Sequence, residues 1–157
     1  MADPYEEIIA GESYVRQSPG RRHEEVRARL ESRLQGCLAA MAAARLLVTR
    51  SIVQLSPGTL LRPDLAVVAS ANERLLLAIE VIDPADHRLD TVDKKELYGS
   101  AKVPRLWMID PRYDNVEVYQ GSPYGLRLAG ILAGSDQLQE PLIPGFGFAI
   151  RELFADA

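Results

Sequence analysis

Apolar positions recur along this chain with two periods. Val26, Leu30, Leu34, Cys37 and Met41 return at spacings of four and three, which predicts a helix from residue 21 to about residue 44 with one apolar stripe. His23 falls near the middle of that stripe at the first turn. Arg22, Arg29 and Arg33 line up on one side of it, and Glu24 and Glu31 on the other. A second helical pattern begins at Asp86 or Asp90 and runs to Ala101, with Asp90, Lys94, Leu97, Tyr98 and Ala101 on one face. Residues 75–82 are apolar at every position except Glu80, as in a central strand covered on both faces. Residues 65–68 and 106–109 are shorter buried runs, and residues 116–119 alternate, turn at Gly121-Ser122-Pro123 and return over residues 124–132. Ile8-Ile9 and Ser13-Tyr14-Val15 read as a hairpin around Gly11-Glu12, broken by Ser18-Pro19-Gly20. Residues 46–48 and 52–55 read as one strand or a bent strand before a turn at 56–59. Residues 146–150 read as a last strand, with a short helical turn at Leu153-Phe154. Helix, strands, helix, strands predicts an α/β (α+β) domain, a mixed sheet flanked by helices with added hairpins.

Composition bounds this picture without altering it. A length of 157 residues suits one domain over 1–157, and 47% hydrophobic with 25% charged residues excludes whole-chain disorder, collagen and coiled coil. Cys37 is the only cysteine, so no intrachain disulfide forms, and its place on the helical stripe reads as an inert buried thiol. The first residues lack the basic start and apolar run of a signal peptide, and no stretch approaches 18 apolar residues. A soluble cytoplasmic protein is the expectation.

Three ionisable residues sit where apolar ones are expected. Glu80 lies inside the central strand, where a carboxylate must be paired, protonated or metal-bound. Asp64 opens the run at 65–68 directly after Pro63. If those strands pair, the two carboxylates converge, and a divalent cation would relieve their repulsion. A structural ion pair with an arginine is the competing reading of Glu80. Lys94 shares the inward helix face with Leu97 and Ala101 and can point its ammonium at the carboxylates, the alternative being a surface pair with Asp90. Asp, Glu and Lys together form the constellation of metal-dependent phosphodiester hydrolysis. Lys95, about 100° round the helix, reads as surface; Tyr98 and Trp107 read as core, and His87 as loop or helix-start surface.

These residues carry a resemblance. Pro63-Asp64-Leu65, the run Ala78-Ile79-Glu80-Val81-Ile82-Asp83-Pro84, Asp90 with Lys94 and Tyr98, and residues 103–111 resemble the Uma-two family of restriction endonucleases, in the PD-(D/E)XK nuclease superfamily. Gly11-Glu12, Ser18-Pro19 with His23, and Pro144-Gly145-Phe146 extend the likeness over nearly the whole chain. The resemblance implies a restriction-endonuclease-like fold and a Mg²⁺-dependent DNA endonuclease, with Mn²⁺ as a substitute. It implies Asp64 and Glu80 as metal ligands, the Val81 carbonyl as a further ligand, and Lys94 in the lysine's role, displaced from the strand position that Ile82 occupies. His23 and Glu12 match family positions near the site. Asp83 stands where the family usually has serine, Lys102 replaces a common glycine and Arg105 a common glutamate. Asp83 would add negative charge at the metal, to bind a second cation or to weaken the site.

The charge balance bears on the substrate. The total is −4, which taken alone argues against a polyanionic partner. Yet residues 16–50 hold eight arginines and three glutamates, a net +5, which leaves −9 for the rest. Arg22, Arg29 and Arg33 form a stripe able to hold a phosphate backbone, or simply a solvated helix face. A second function class stays open: a catalytically weak nuclease-fold module that binds nucleic acid or a protein partner. A chain this small has no separate target-recognition domain, so cutting both strands of DNA predicts a homodimer.

Overall fold

The two-residue turn Ala10-Gly11 sets the first element, because both residues have positive φ (51° and 82°). That matches the twist of a tight hairpin, and it pairs β1 (Tyr5–Ile9) with β2 (Glu12–Arg16). The computed structural model describes residues 3–84 and 89–155. Helix α1 (Arg21–Leu38) follows, and Val26, Leu30, Leu34 and Leu38 form its buried face. It ends well short of residue 44. Residues 39–43 are strong helix formers, but Ala44 is drawn into β3 (Ala44–Leu46), opposite Ala69, and sheet pairing overrides local propensity. Met41 packs against the core from beyond the helix end, and Cys37 is only partly buried.

The stretch expected as one bent strand is two. β3 joins one sheet and β4 (Val53–Ser56) another, separated by a turn in which Arg50 adopts φ 55°. β4 pairs with β5 (Thr59–Leu61), a strand too short to show a period, and β5 pairs with β1. The result is a four-stranded sheet in the order β2-β1-β5-β4.

The central sheet has six strands in the order β10-β9-β8-β7-β6-β3. These are β6 (Leu65–Ala69), β7 (Leu75–Val81), β8 (Arg105–Asp110), β9 (Asn115–Ser122) and β10 (Gly125–Ala133), with β3 at the edge. β7 and β8 are parallel and the other neighbours antiparallel, so the sheet is mixed. A parallel pair needs a crossover, and it is made through a π-helical turn at Leu89–Asp93 leading into α2 (Lys94–Ser100). Asp86 and His87 lie outside the described residues. A short pair, β11 (Gln137–Gln139) and β12 (Gly147–Ala149), and helix α3 (Arg151–Phe154) complete the chain. No helix among the described residues is long and apolar enough to cross a membrane.

Strand alternation assigns the two faces of β7. Leu77, Ile79 and Val81 join the core under α1, with Trp107 and Phe146. Ala78 and Ile82 join a second core with Tyr98, Leu106 and Met108 under α2. Glu80 alternates with Ala78 and Ile82 and therefore faces α2.

Candidate active site

Antiparallel pairing of β6 with β7 sets Leu65 opposite Ile79, which brings Asp64 level with Glu80. Both carboxylates are 1% exposed and Lys94 is fully buried. Asp64 Oδ2 accepts the Val81 N–H at 2.8 Å, and Oδ1 accepts Arg50 Nε at 3.0 Å. His23, on the first turn of α1, places Nε2 2.9 Å from the Val81 carbonyl and 3.6 Å from Asp64 Oδ2. A carbonyl only accepts, so Nε2 carries the proton. Nδ1 makes no hydrogen bond and lies 3.4 Å from Glu24 Oε1. Burial works against an ionised Asp64. The nearby His23 imidazole, Arg50 and the Val81 N–H outweigh it and hold the carboxyl down at about 2. Burial likewise works against a charged His23, and Asp64 outweighs it and raises the imidazole.

The Glu80 side is built differently. Lys94 Nζ lies 3.0 and 3.1 Å from the two Glu80 oxygens and 2.8 Å from Glu7 Oε1. Tyr98 donates its hydroxyl to Glu80 Oε1 at 2.6 Å. Arg16 bonds Glu7 at 2.8 Å through Nη1, and both Asp90 oxygens at 2.9 and 3.0 Å through Nη2. The Asp83 and Arg62 backbone N–H groups close on Asp90 Oδ2 and Glu7 Oε2 at 3.0 and 2.7 Å. Burial is the largest influence on Glu80 and pushes its carboxyl up to about 8. Lys94 offsets part of that, while Glu7, Asp64 and Asp90 add to it. Burial opposes the Lys94 charge, but Glu80, Glu7 and Asp90 together raise it. Among the described residues three carboxylates (Glu7, Glu80, Asp90) share two cations (Lys94, Arg16), so carboxylates outnumber cations in this half.

A divalent cation is the group such a site implies. The donor set fits one: two carboxylates and the Val81 carbonyl are hard oxygen ligands of the kind Mg²⁺ takes alongside retained waters. The surplus of buried carboxylate is a second point of fit. Among the described residues no three His, Cys, Asp or Glu side chains converge as a ready-made cage, so retained waters would complete the shell. Every oxygen of Asp64 and Glu80 is already engaged, and Arg50, stacked 5.5 Å over the Tyr5 ring, covers Asp64. A cleft of about 400 Å³ reaches His23 between Arg21, Arg22, Asp83, Pro111 and Arg112.

The structure thus brings together Asp64, Glu80, Val81, Lys94 and His23. The Asp90–Lys94 pair is buried at 3.8 Å and not a surface pair. Glu12 is not brought in. It stays exposed at the hairpin turn, where it accepts the Tyr14 hydroxyl. Its strand register puts Glu7 at the site instead. Asp83 is half-buried beside the cleft. The arginine stripe is engaged at the C-terminal end of the chain. Arg29 donates to the Leu153 carbonyl, Arg33 pairs with Glu152 and stacks on Phe148, and Arg22 bonds Asp114 and the Phe154 carbonyl. These bonds dock α3 onto α1 and give the stripe a structural duty.

Sequence reasoning missed Glu7, Arg16 and Arg50, and read Tyr98 as core without its bond to Glu80. One signal for Glu7 existed: it alternates with Tyr5 and Ile9 along β1. For Arg50, in an aperiodic turn, none did.

A mixed sheet whose parallel pair ends beside a buried Asp–Glu–Lys trio defines a restriction-endonuclease-like, nuclease-type fold. The chain belongs to the Uma2 family, described as "Putative restriction endonuclease", whose profile matches residues 2–151. It also superposes on the crystal structure of "a putative nuclease belonging to DUF820 from Anabaena variabilis ATCC 29413". The TM-score is 0.81 at 16% identity, covering 98% of this chain and 92% of the other. None of the curated proteins matches the chain.

Proposed function

We propose that this protein is a Mg²⁺-dependent endonuclease that hydrolyses DNA phosphodiesters at Asp64, Glu80 and Lys94. The observation that carries the reading is the convergence of a strand-end aspartate, a strand glutamate and a fully buried helical lysine. Asp64, Glu80 and the Val81 carbonyl would hold the cation, which supplies a water of lowered pKa and charge neutralisation at the phosphate. His23 fixes the Val81 carbonyl and steadies ionised Asp64. Lys94 keeps the Glu80 carboxylate oriented and adds positive charge beside the developing oxyanion. Tyr98 locks the Glu80 rotamer. A homodimer in the cytoplasm would supply a second site for the opposite strand. Supercoiled plasmid and oligonucleotide duplexes incubated with Mg²⁺ or Mn²⁺ should be cut by the native protein and left intact by Asp64→Ala. Equal cutting by that variant, or no cutting across a broad substrate panel, would sink the proposal.

The sealing of the trio favours a second reading, a nuclease-fold binding module without hydrolysis. The two separate on metal binding. A ligand bound only by the folded state adds about 2.7 kcal/mol at a hundred times its Kd. A Mn²⁺-dependent rise in Tm that disappears in Glu80→Gln supports the nuclease, and an unchanged Tm at millimolar Mn²⁺ supports the module.

A further inference from the structure

We infer that the groove between α2 and the β9–β10 hairpin binds a single unpaired nucleic-acid strand, with Lys95 and Lys102 on its phosphates and Tyr124 on a base. The inference rests on the nuclease reading for the class of its occupant, and its grounds lie in a different part of the molecule. The groove encloses about 760 Å³. Its walls approach closely at Gly99, where a Cβ would lie 3.4 Å from the Leu126 nitrogen.

The placement of lysine is the first ground. The chain has three lysines and fifteen arginines, and all three lysines fall within residues 94–102. Lys94 turns inward to the candidate site, while Lys95 and Lys102 line the groove. Neither of these two has a carboxylate partner among the described residues. Lys95 Nζ sits 5.1 Å over the Tyr119 ring and 3.5 Å from its hydroxyl, which also bonds Glu117. Glu96 is the one carboxylate in the groove lining, so the lysines outnumber it.

Backbone strain is the second ground. Lys102 lies two residues past the end of α2 with φ 57°. Glycine adopts that conformation freely at a helix C-terminus, and a side chain there is disfavoured. Here the disfavoured residue is an exposed cation facing a groove. Ala10, Arg50, Glu73 and Asp114 share the conformation in turns and loops, and Lys102 is the one of these residues that lines the groove, where retained strain points to a use for its side chain.

The third ground is Tyr124, which is 99% exposed at the hairpin tip. The tip is ordered from within: Ser122 Oγ donates to the Gly125 carbonyl at 2.7 Å and accepts the Tyr124 N–H at 3.2 Å. A fixed turn thus holds an aromatic face wholly in water. Cations tracking a backbone beside aromatic faces are what single strands require, because an unpaired base offers its flat face for stacking. A duplex keeps those faces stacked inside, and an acidic peptide would leave Tyr124 without a role.

Fluorescence anisotropy of a labelled single strand of about 12 nucleotides, in metal-free buffer, reads binding without cleavage. Tyr124→Ala should weaken the single strand about tenfold and leave its salt dependence unchanged. Lys102→Gly removes the charge and the strain together. It should raise Tm while lowering the slope of log K against log salt by about 0.7. The matching duplex should bind more weakly than the single strand. Native affinity in both variants, tighter binding of the duplex, or displacement of the strand by polyglutamate at equal charge would overturn the inference. Absence of cleavage by the native protein with these binding effects intact would remove the nuclease reading and support the groove. Cleavage dependent on Asp64 but binding indifferent to Tyr124 and Lys102 would remove the groove alone.

Discussion

The Asp64 half and the Glu80 half of the site are buried alike and charged differently. Asp64 is met by Arg50, His23 and a backbone N–H, and stays ionised down to about pH 2. Glu80 shares Lys94 with Glu7 and Asp90, and its carboxyl is pushed up to about 8. Burial by itself therefore does not decide the charge of a carboxyl. The ratio of cations to carboxylates around it does. Tyr5 touches both halves, with the Arg16 and Arg50 guanidinium groups 5.8 and 5.5 Å from its ring centre.

The contrast can be broken most forcefully at Lys94. Lys94→Met leaves Arg16 as the one described cation among Glu7, Glu80 and Asp90, and should cost about 3–5 kcal/mol in urea unfolding at neutral pH. A loss below about 1 kcal/mol would mean the three carboxylates are not held by that ammonium. Asp64→Asn removes the charge that Arg50 and His23 answer, and should cost about 1.5–3 kcal/mol in the same assay.

Dependence on pH separates the halves further. The folded Glu80 binds its proton more tightly than the unfolded residue, whose pKa is 4.5. Its contribution is complete below about pH 4.5 and is lost as pH rises through about 8. Asp64 runs the other way, since its folded pKa lies below the ordinary 3.8. Its contribution holds above about pH 4 and is lost as pH falls toward 2. A single group changes stability by at most about 1.4 kcal/mol per pH unit. Glu80→Gln should flatten the decline between pH 5 and 8. An unchanged decline would place the responsible proton elsewhere. At pH 7 the same variant should cost less than Asp64→Asn, because burial and the neighbouring carboxyl groups already raise the Glu80 carboxyl. The smallest effect is expected far from both halves. Arg21→Ala breaks an exposed pair with Glu25 on α1 and should change stability by under about 0.5 kcal/mol in the same unfolding assay.

The parts of the site legible in the sequence were those that violate a local pattern. Glu80 interrupts a continuous apolar strand, Asp64 opens one, and Lys94 shares a helix face with Leu97 and Ala101. Each anomaly is visible within one element. Glu7, Arg16 and Arg50 break no local rule, because a charged residue in a hairpin or turn is ordinary. Their burial comes from partners far along the chain: Arg16 meets Asp90 across 74 residues. The same limit explains the strand that became two. β3 and β4 differ in which sheet receives them, and periodicity carries no information on partners. It explains the arginine stripe as well, where helical spacing placed Arg29 and Arg33 on one face but could not show α3 lying against it.

The union of Arg16 with Asp90, and of Glu7 with Lys94, also sets a timetable. During synthesis at about 5–20 residues per second, the N-terminal hairpin exists for roughly 4–16 seconds before residues 90–94 are made. Until then the Lys94 ammonium that Glu7 will meet and the Asp90 carboxylate that Arg16 will meet do not exist. The site is therefore completed long after its first strand emerges, and the half that waits longest is the one where carboxylates outnumber cations among the described residues.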